Sequence, residues 1–539
     1  MVEIDDRSTI GETFFLAAEA YGSRPFLAVP ANEGRAYHPA GFEISYARAA
    51  TFVRELIAAY RDAGFGHGHR VALLLENRPE HLLHKLALNA IGACCVPVSA
   101  DYRTREIAYL LHHSKIDLAI VLASRREQLT RAMAEAARQI PVVVLDEFRA
   151  GLSSPARPAR ADAVVAESEA SVLYTSGTTG RPKGCVLSHG YELSAGAWYA
   201  TRKGLATFHN GGDRLYNPLP LCHVNASVLS FFGMLLTGNC QIQTDRFQPQ
   251  RWWREVSGSR ATAVHYLGVI VPLLLGMPPC EEERSHTVRF GLGAGVEPQL
   301  HAQFEQRFGF PLIEVWGMTE MVRVLLDHEP PRQVGTRAFG RAVPGIEVRV
   351  VDDEDRDVPV GKPGEMLVRH SGAMPRKGFF SGYLDDTAAT EAAWRGGWFH
   401  TGDVVWRAAD GMLHFVDRKK NIIRRSGENI AAAEVEALLQ GSDGVAQVAV
   451  LAVPDEIREE EVLACIVLAN AQPNRDTAEV LFRYCYDNLA YYKAPGWIYF
   501  TDSLPTTGTQ KIQKHQIFPT GTDPRSLPNM FDLRHLKKR

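Results

Sequence analysis

The stretch Tyr174–Gly184 has the residue types of a loop that binds phosphate groups. It reads YTSGTTGRPKG, with three glycines, several hydroxyl side chains and one lysine. Glycines let backbone N–H groups approach an anion, the hydroxyls can donate hydrogen bonds, and Lys183 adds a positive charge. The residues expected to contact a polyphosphate are Thr175, Ser176, Gly177, Thr178, Thr179 and Lys183. A short Gly/Thr cluster would more simply be a surface turn, but the length of this string favours a polyphosphate site.

This loop is not a Walker A motif. That motif reads GxxxxGK[ST], with a helix beginning at the lysine. Here Pro182 precedes Lys183 and Gly184 follows it. YTSGTTGRPKG instead resembles the signature of the AMP-forming adenylating superfamily, which includes acyl- and aryl-CoA synthetases, luciferases and adenylation domains of nonribosomal peptide synthetases.

Further motifs follow in the order of that superfamily, so the resemblance covers nearly the whole chain. They are WGMTE at Trp316–Glu320, WFHTGD at Trp398–Asp403, DRKKNIIRRSGENI at Asp417–Ile430 and LPTTGTQKIQK at Leu504–Lys514. In its motifs and length, the chain is most similar to crotonobetaine/carnitine-CoA ligase-like enzymes. The resemblance implies an ATP-dependent acid–CoA ligase that forms an acyl-adenylate and pyrophosphate, then transfers the acyl group to CoA and releases AMP. A stand-alone adenylation enzyme that loads a carrier-protein thiol is the alternative.

The resemblance assigns several residues to the nucleotide. The Trp316 indole would stack on adenine, Thr319 would contact the α-phosphate, and Glu320 would offer an oxygen ligand to Mg²⁺. A helix start is the simpler alternative for the Thr–Glu pair. The segment Gly291–Val296, GLGAGV, fails the dinucleotide pattern GxGxxG and resembles the superfamily loop beside adenine. The other residues implied at the nucleotide are Gly293, Ala294, Gly295, Gly317, Met318, Asp403 and Arg418.

Lys511 is implied as the catalytic lysine, although Gln510 stands where the superfamily commonly has glycine. It would bridge the carboxylate and the α-phosphate. Lys420 lies at the hinge position, and Gly427 lies on the loop that faces the pantetheine channel of CoA. The small domain would rotate about Lys420 between the two half-reactions. The catalytic residues implied are Lys511, Thr319, Glu320 and His223.

The acyl pocket is assigned by position in the superfamily. The residues implied there are His223, Asn225, His265, Tyr266, Leu267, Gly268 and Gly293. For His265, a hydrogen-bonded core histidine is an equally good interpretation. Pocket residues of this kind do not identify the acid.

Strand-like apolar runs alternate with amphipathic helical stretches over the first part of the chain, which predicts βαβ units with parallel sheet. After Ile346 the pattern alternates apolar and polar residues, as in an antiparallel sheet. These patterns predict an α/β fold, and the resemblance implies its organisation: a large N-terminal domain of βαβ subdomains with a β-barrel-like subdomain, residues 1–419, and a small mobile α+β domain, residues 420–539. The last part contains helix candidates at Ala433–Gln440 and Glu479–Asn488 and strand candidates at Ala446–Val453 and Val462–Leu468. Ala431–Ala433 lacks the Ser or Pro that opens the next helix in many relatives.

Composition limits the partners. The net charge is -3 from 59 basic and 62 acidic residues, so the chain lacks the excess of positive charge that is typical of nucleic-acid-binding proteins. No apolar run reaches the length of a membrane span, and the eight scattered cysteines are typical of reduced thiols, so we expect a cytoplasmic protein. The expected small-molecule partners are ATP, Mg²⁺, CoA or a carrier-protein thiol, and a carboxylic acid, and a homodimer is left open. The basic C-terminal tail LRHLKKR is expected to be solvated.

Overall fold

The computed structural model describes residues 1–175, 182–425, 428–455, 458–489, 491–506, 512–519 and 521–537. The chain divides into two compact units. The first comprises Met1–Glu347 and Arg369–Trp398, and the second comprises Val348–Val368 and Phe399–Arg539. Most of the antiparallel sheet that follows Ile346 therefore groups with the C-terminal residues. The domain boundary predicted between residues 419 and 420 stays a prediction.

The elements are numbered along the chain. The strands are β1 Pro25–Val29, β2 Phe42–Ser45, β3 Arg70–Leu74, β4 Cys94–Pro97, β5 Leu118–Val121, β6 Val142–Val144, β7 Glu169–Thr175, β8 Lys183–Ser188, β9 Arg214–Asn217, β10 Cys240–Gln243, β11 Ala263–Leu267, β12 Phe290–Ala294, β13 Leu312–Met318, β14 Met321–Leu326, β15 Ala338–Gly340, β16 Ile346–Val351, β17 Pro363–His370, β18 Gly382–Tyr383, β19 Phe399–Arg407, β20 Leu413–Arg418, β21 Ile422–Arg425, β22 Glu428–Ala431, β23 Val445–Asp455, β24 Glu459–Leu468, β25 Trp497–Phe500 and β26 Met530–Asp532.

The α-helices follow the same numbering. They are α1 Ile10–Tyr21, α2 Tyr46–Asp62, α3 Pro79–Ala90, α4 Thr104–His113, α5 Arg126–Glu135, α6 Phe148–Gly151, α7 His189–Ala200, α8 Ser230–Thr237, α9 Trp252–Gly258, α10 Ile270–Leu275, α11 Pro298–Phe308, α12 Thr387–Ala393, α13 Ala432–Gln440 and α14 Arg475–Asn488. None of the helices in the described part of the chain has the length and apolar character needed to cross a membrane.

The first unit contains two largely parallel sheets. One has the strand order β14-β13-β12-β11-β9-β10-β1-β2, with antiparallel strands at its two edges. The other has the order β18-β8-β7-β4-β3-β5-β6 and is parallel from β7 to β6. Strands such as β5 are buried along their whole length, as expected when helices cover both faces of a parallel sheet. The predicted α/β fold with βαβ units is confirmed.

A buried ion pair joins two helices to β7, the strand that precedes the predicted phosphate loop in the sequence. The Lys85 ammonium on α3 lies 2.7 Å from the Glu192 carboxylate on α7. It also donates a hydrogen bond of 2.5 Å to the Ser171 hydroxyl on β7. Lys85 and Glu192 are 1% and 0% exposed, so each charge depends on the other for its stabilisation. These contacts fix β7 against the two helices that flank it.

The second unit contains two sheets. The strands β16-β17-β19-β20 form an antiparallel sheet, and the C-terminal sheet has the order β22-β21-β24-β25-β26 with β23 paired to β24. The predicted helices at Ala433–Gln440 and Glu479–Asn488 correspond to α13 and α14, and the two predicted strands correspond to β23 and β24. These four predictions are confirmed. Apolar residues from all four elements, including Val435, contribute to a buried core between the sheet and the two helices.

Helix α13 has a cap that the sequence around its start does not supply. Ala431, at the capping position, provides no side-chain hydrogen bond. Instead, the Asp417 carboxylate accepts a hydrogen bond of 2.9 Å from the Ala433 N–H. A carboxylate at a helix N-terminus satisfies a free N–H and interacts favourably with the helix dipole. Asp417 therefore replaces the missing Ser or Pro.

Candidate active site

The predicted phosphate loop connects the antiparallel strands β7 and β8. Thr175 is paired with Lys183, and Tyr174 is paired with Gly184. The register therefore places the Thr175 hydroxyl and the Lys183 ammonium at the same end of the hairpin. The loop residues Ser176, Gly177, Thr178 and Thr179 lie outside the described residues.

Tyr383 connects the phosphate hairpin to the WGMTE segment. It lies opposite Cys185 of β8 in the sheet. Its hydroxyl donates a hydrogen bond of 2.9 Å to Glu320 Oε1, and Lys183 Nζ lies 4.5 Å from the centroid of its ring. A cation at this distance over an aromatic face is attracted by the ring electrons. We call these three residues the Lys183–Tyr383–Glu320 group.

Burial and the charge of Glu320 keep the Tyr383 hydroxyl and the Cys185 thiol protonated. Burial, reinforced by the Glu320 carboxylate, raises the pKa of the Tyr383 hydroxyl far above its ordinary value. The same two causes raise the pKa of the Cys185 thiol well above 9.0. The Cys185 sulfur lies 3.9 Å from the Thr175 hydroxyl oxygen. Tyr383 therefore remains a hydrogen-bond donor at neutral pH, and Cys185 is an unreactive thiol rather than a nucleophile.

Thr319 and Glu320 form the tight turn between β13 and β14, in which Met318 pairs with Met321. This geometry excludes the helix start considered for the Thr–Glu pair. The Tyr191 hydroxyl donates a hydrogen bond of 2.6 Å to the Thr319 carbonyl and fixes the turn to α7. Glu320 is only 7% exposed, so its charge is held in a largely dry environment.

Trp316 and Gly317 precede this turn on β13. Trp316 is 5% exposed, and its ring centroid lies 6.1 Å from that of Phe339. Its indole therefore packs within the first unit. Gly317 is exposed, and a Cβ added there would lie 2.5 Å from Val324 Cγ1, so only glycine fits at this position. Met318 is partly buried.

The loop Gly293–Gly295 begins at the end of β12, beside the end of β11. Gly293 pairs with Tyr266, and the Gly268 N–H donates a hydrogen bond of 2.9 Å to the Ala294 carbonyl. A Cβ at Gly293 would lie 2.2 Å from the Tyr266 carbonyl oxygen, and one at Gly268 would lie 1.8 Å from the Gly295 carbonyl oxygen. Close backbone approach therefore requires both glycines. Ala294 and Gly295 remain exposed, as a flat ligand lying beside them would need.

The predicted acyl-pocket residues differ in their surroundings. His265 is buried, and its two ring nitrogens lie 2.5 Å from the Tyr199 hydroxyl and 3.0 Å from the Asn225 amide nitrogen. Burial lowers the pKa of His265 to about 3, so the ring is neutral. His265 is thus the hydrogen-bonded core histidine that the sequence left as one of two interpretations. Tyr266 is also buried, and its hydroxyl donates to the Ile313 carbonyl at 3.2 Å. In contrast, His223 is exposed, and Leu267 and Gly268 are partly exposed.

Asp403 and Arg418, which the resemblance implies at the nucleotide, face each other in the second unit. Asp403 of β19 pairs with Arg418 of β20, and Arg418 Nε lies 2.8 Å from Asp403 Oδ1. The Asp403 side chain is 1% exposed, whereas that of Arg418 is 42% exposed. This pair presents a guanidinium to solvent above a buried carboxylate. The Lys420 side chain, Gly427 and Lys511 lie outside what the structure describes.

Comparison with known proteins identifies the family. The AMP-binding enzyme family matches residues 16–384, and its C-terminal domain matches residues 434–511. The chain belongs to the AMP-binding enzyme family. A crotonobetaine/carnitine–CoA ligase of Citrobacter koseri is 27% identical over 516 residues, which cover 93% of this chain and 97% of that protein.

Solved structures share the fold of this AMP-binding enzyme. A benzoate CoA ligase from Burkholderia xenovorans is 22% identical, with a TM-score of 0.79 over 94% of this chain and 99% of that one. An anthranilate CoA ligase in complex with anthranoyl-AMP is 20% identical, with a TM-score of 0.81 over 95% and 97%. Because these structures cover 94% and 95% of this chain, the matches extend over both the N-terminal and the C-terminal parts of the protein.

Sequence reasoning missed Glu314, which holds the glycine loop of this AMP-binding enzyme in place. Its two carboxylate oxygens accept hydrogen bonds from the N–H groups of Gly295 at 3.1 Å and Val296 at 2.9 Å. Burial raises the pKa of Glu314 from 4.5 to about 7, although the two N–H donors and the charges of His301 and Arg337 oppose the shift. Its place two residues before Trp316 in the IEVWGMTE run was the available signal.

We expect the stability of the wild type, relative to a Glu314→Gln variant, to fall as the pH rises from 5 to 8. The folded protein keeps the Glu314 proton up to a pH of about 7, whereas an unfolded glutamate releases it near pH 4.5. The stabilisation is therefore complete below pH 4.5 and is lost as the pH passes 7, with a total of about 3 kcal/mol. Thermal unfolding of both proteins across this range measures the difference. Parallel pH profiles would contradict it.

Proposed function

We propose that this enzyme is an ATP-dependent acid–CoA ligase. The Lys183–Tyr383–Glu320 group carries the proposal, because it places a cation and a buried carboxylate beside a hairpin of the phosphate-binding type. In the first half-reaction, a carboxylate oxygen attacks the α-phosphorus of ATP. The bond from that phosphorus to the bridging oxygen breaks, and pyrophosphate leaves. The product is a mixed anhydride, whose AMP is a far better leaving group than the oxide of a free acid.

Positive charge is what the first half-reaction needs, because its reactants are all anionic. Lys183 would neutralise the departing pyrophosphate, and Thr175 would donate its hydroxyl to a phosphate oxygen. Tyr383 would hold the Glu320 carboxylate in place through its hydrogen bond. Asp403 would accept hydrogen bonds from the ribose hydroxyls, with Arg418 beside it.

Glu320 suits Mg²⁺, which takes hard oxygen ligands and usually keeps waters and phosphate oxygens in its shell. One Glu320 oxygen accepts the Tyr383 hydrogen bond at 2.9 Å. Within the described residues there is no cluster of three or more acidic, histidine or cysteine side chains that could hold a metal. A single carboxylate fits an ion that is held mainly by the nucleotide. When bound, Mg²⁺ would add positive charge against the phosphate oxygens.

In the second half-reaction, the CoA sulfur attacks the acyl carbonyl carbon, and the bond to the AMP oxygen breaks. A thiol with a pKa of about 8.5 is partly ionised at neutral pH, and its thiolate is strongly nucleophilic. The attack of the CoA sulfur therefore requires no dedicated base. We propose that Gly427 lines the CoA channel, that Lys420 is the hinge, and that Lys511 acts only in the first half-reaction. The small glycine would allow the pantetheine arm to pass close to the backbone.

We also propose that the enzyme works in the cytoplasm. Its eight cysteines are all free thiols, and most of them are buried. Burial raises the pKa of thiols such as Cys94 and Cys95, which makes them poor nucleophiles and slow to oxidise. A reducing compartment suits this usage of cysteine.

Acid-dependent ATP–pyrophosphate exchange tests the proposal. We expect exchange with at least one acid from a panel of aliphatic, aromatic and trimethylammonium carboxylic acids, followed by AMP release that depends on CoA. The Glu320→Gln variant, assayed with the same acids, is the matched control for contaminating exchange activity. Absence of exchange with every acid would indicate a binding scaffold. Exchange without CoA-dependent AMP release would favour a carrier-protein thiol as the acceptor.

A further inference from the structure

Residues 530–537 of the C-terminal tail are docked into the second unit, whereas the basic sequence of the tail predicted a solvated end. Strand β26 pairs with β25, with Asp532 opposite Trp497. Leu533 is fully buried in the core of this unit. The Lys537 side chain is 1% exposed, and its ammonium lies 2.5 Å from Glu461 Oε1. The prediction failed because a short charge run was judged without its buried partner.

Glu461 is shared between two cations. Its Oε2 accepts a hydrogen bond of 2.8 Å from Arg425 Nε, and its Oε1 receives the Lys537 ammonium. Glu461 is 0% exposed and Arg425 is 5% exposed. A Cβ at Gly496 would lie 2.5 Å from the Glu461 carboxyl carbon, so the backbone closes over the carboxylate. The Arg425–Glu461–Lys537 network therefore lies in a low-dielectric site, where each charge depends strongly on its partners.

Arg425 links this network to a β-hairpin. It is the last residue of β21, and it pairs with Glu428 of β22 and with Glu459 of β24. Its guanidinium therefore fixes the end of the β21–β22 hairpin to Glu461 of β24. The two residues that connect β21 and β22 are Ser426 and Gly427, which lie outside the described residues. If the tail leaves, water reaches Glu461 and weakens its attraction for Arg425.

We propose that Lys537 and Arg425, acting through the shared Glu461 carboxylate, position the β21–β22 hairpin for the thioester-forming half-reaction. This inference rests on the proposed function, in which Gly427 of that hairpin serves CoA. Lys537 is a positioning residue, because it acts on the reaction only through Glu461 and Arg425. Adenylate formation does not need it.

The charge state of Lys537 offers a second way to release the network. Burial lowers the pKa of Lys537 to about 8, although Glu461 and Asp455 raise it and Arg425 lowers it further. At pH 9 the wild-type lysine is therefore mostly neutral, whereas an arginine at this position stays charged. The hairpin should then be more firmly held in Lys537→Arg than in the wild type at pH 9.

The experiment compares Lys537→Met, Lys537→Arg and wild type in two separate half-reactions. We expect Lys537→Met to lower kcat/KM for CoA by about tenfold in thioester formation from supplied acyl-AMP. ATP–pyrophosphate exchange should stay within about twofold of wild type, and Lys537→Arg should restore the CoA step at pH 7.5. Arg483→Met is the matched control, because Arg483 is an exposed cation on α14 of the same unit. It should change neither half-reaction.

Hydrogen exchange adds a readout that does not depend on activity. Amide exchange in residues 422–431 should accelerate about tenfold in Lys537→Met, and at pH 9 wild type should exchange faster there than Lys537→Arg. An unchanged CoA step, an equal loss of both half-reactions, or acceleration confined to residues 530–537 would overturn the proposal. If Lys537→Met does not fold, wild type and Lys537→Arg at pH 9 provide the comparison. Wild-type protein that forms no thioester would refute the proposed function itself, while hydrogen exchange would still decide whether Lys537 holds the hairpin.

Discussion

Lys511→Ala is expected to lower the rate of acyl-adenylate formation by about 100- to 1,000-fold, the usual cost of removing one charge or donor from a transition state. Lys511 itself lies outside the described residues, whereas Thr506 and Ile512 on either side of its segment are described. Thr506 and Ile512 pair as an isolated antiparallel bridge, and the Gln513 N–H donates a hydrogen bond of 2.7 Å to the Pro505 carbonyl. We propose that Lys511, which lies between these residues in the sequence, contacts the carboxylate and the α-phosphate. Acid-dependent ATP–pyrophosphate exchange measures the loss.

The separation of the half-reactions makes this prediction specific. Thioester formation from supplied acyl-AMP and CoA should stay within a few-fold of wild type, because Lys511 is assigned to the first step alone. Lys514→Met is the matched control, since Lys514 is a nearby cation held 2.8 Å from Glu436. That variant should keep both half-reactions. Equal losses of both steps in Lys511→Ala would contradict the assignment.

Local sequence pattern predicted those parts of the fold that depend on neighbouring residues. The helices α13 and α14 and the strands β23 and β24 were predicted because apolar periodicity is a short-range signal. A phosphate-binding loop was predicted from one continuous run of glycines, hydroxyls and a lysine, and it stays a prediction; the antiparallel pairing of β7 and β8 on its two sides comes from the structure. The match to the AMP-binding enzyme family over residues 16–384 includes the YTSGTTGRPKG and WGMTE segments.

What the sequence did not predict depends on residues that are distant along the chain. Tyr383 reaches Glu320 because β18 adds to the edge of β8, and nothing near SGYL indicates that pairing. Asp417 caps α13 from the end of β20, and Glu461 captures Lys537 across the C-terminal sheet. In each case the sheet topology brings the partners together. A motif search considers each segment alone and cannot supply these pairs.

Glu320→Gln is expected to lower the rate of adenylate formation by about 100-fold and to raise the Mg²⁺ concentration needed for half-maximal rate. Glutamine keeps the shape of the side chain and can still accept the Tyr383 hydrogen bond, which spans 2.9 Å in the wild type. Only the negative charge is lost. Because Glu320 is 7% exposed, little water is present to replace that charge at the metal. ATP–pyrophosphate exchange over a Mg²⁺ titration measures both quantities.

Tyr383→Phe separates the charge of Glu320 from its orientation. The pKa of Tyr383 is raised by burial and by Glu320, so the wild-type hydroxyl donates throughout the neutral pH range. Its removal leaves the carboxylate charged but less firmly held, and it keeps the aromatic face beneath Lys183. We therefore expect only a several-fold loss, with little change in the Mg²⁺ requirement. If Tyr383→Phe matched Glu320→Gln in both quantities, the hydrogen bond from Tyr383 would be as necessary as the charge of Glu320, and the expectation that charge dominates the Mg²⁺ requirement would be contradicted.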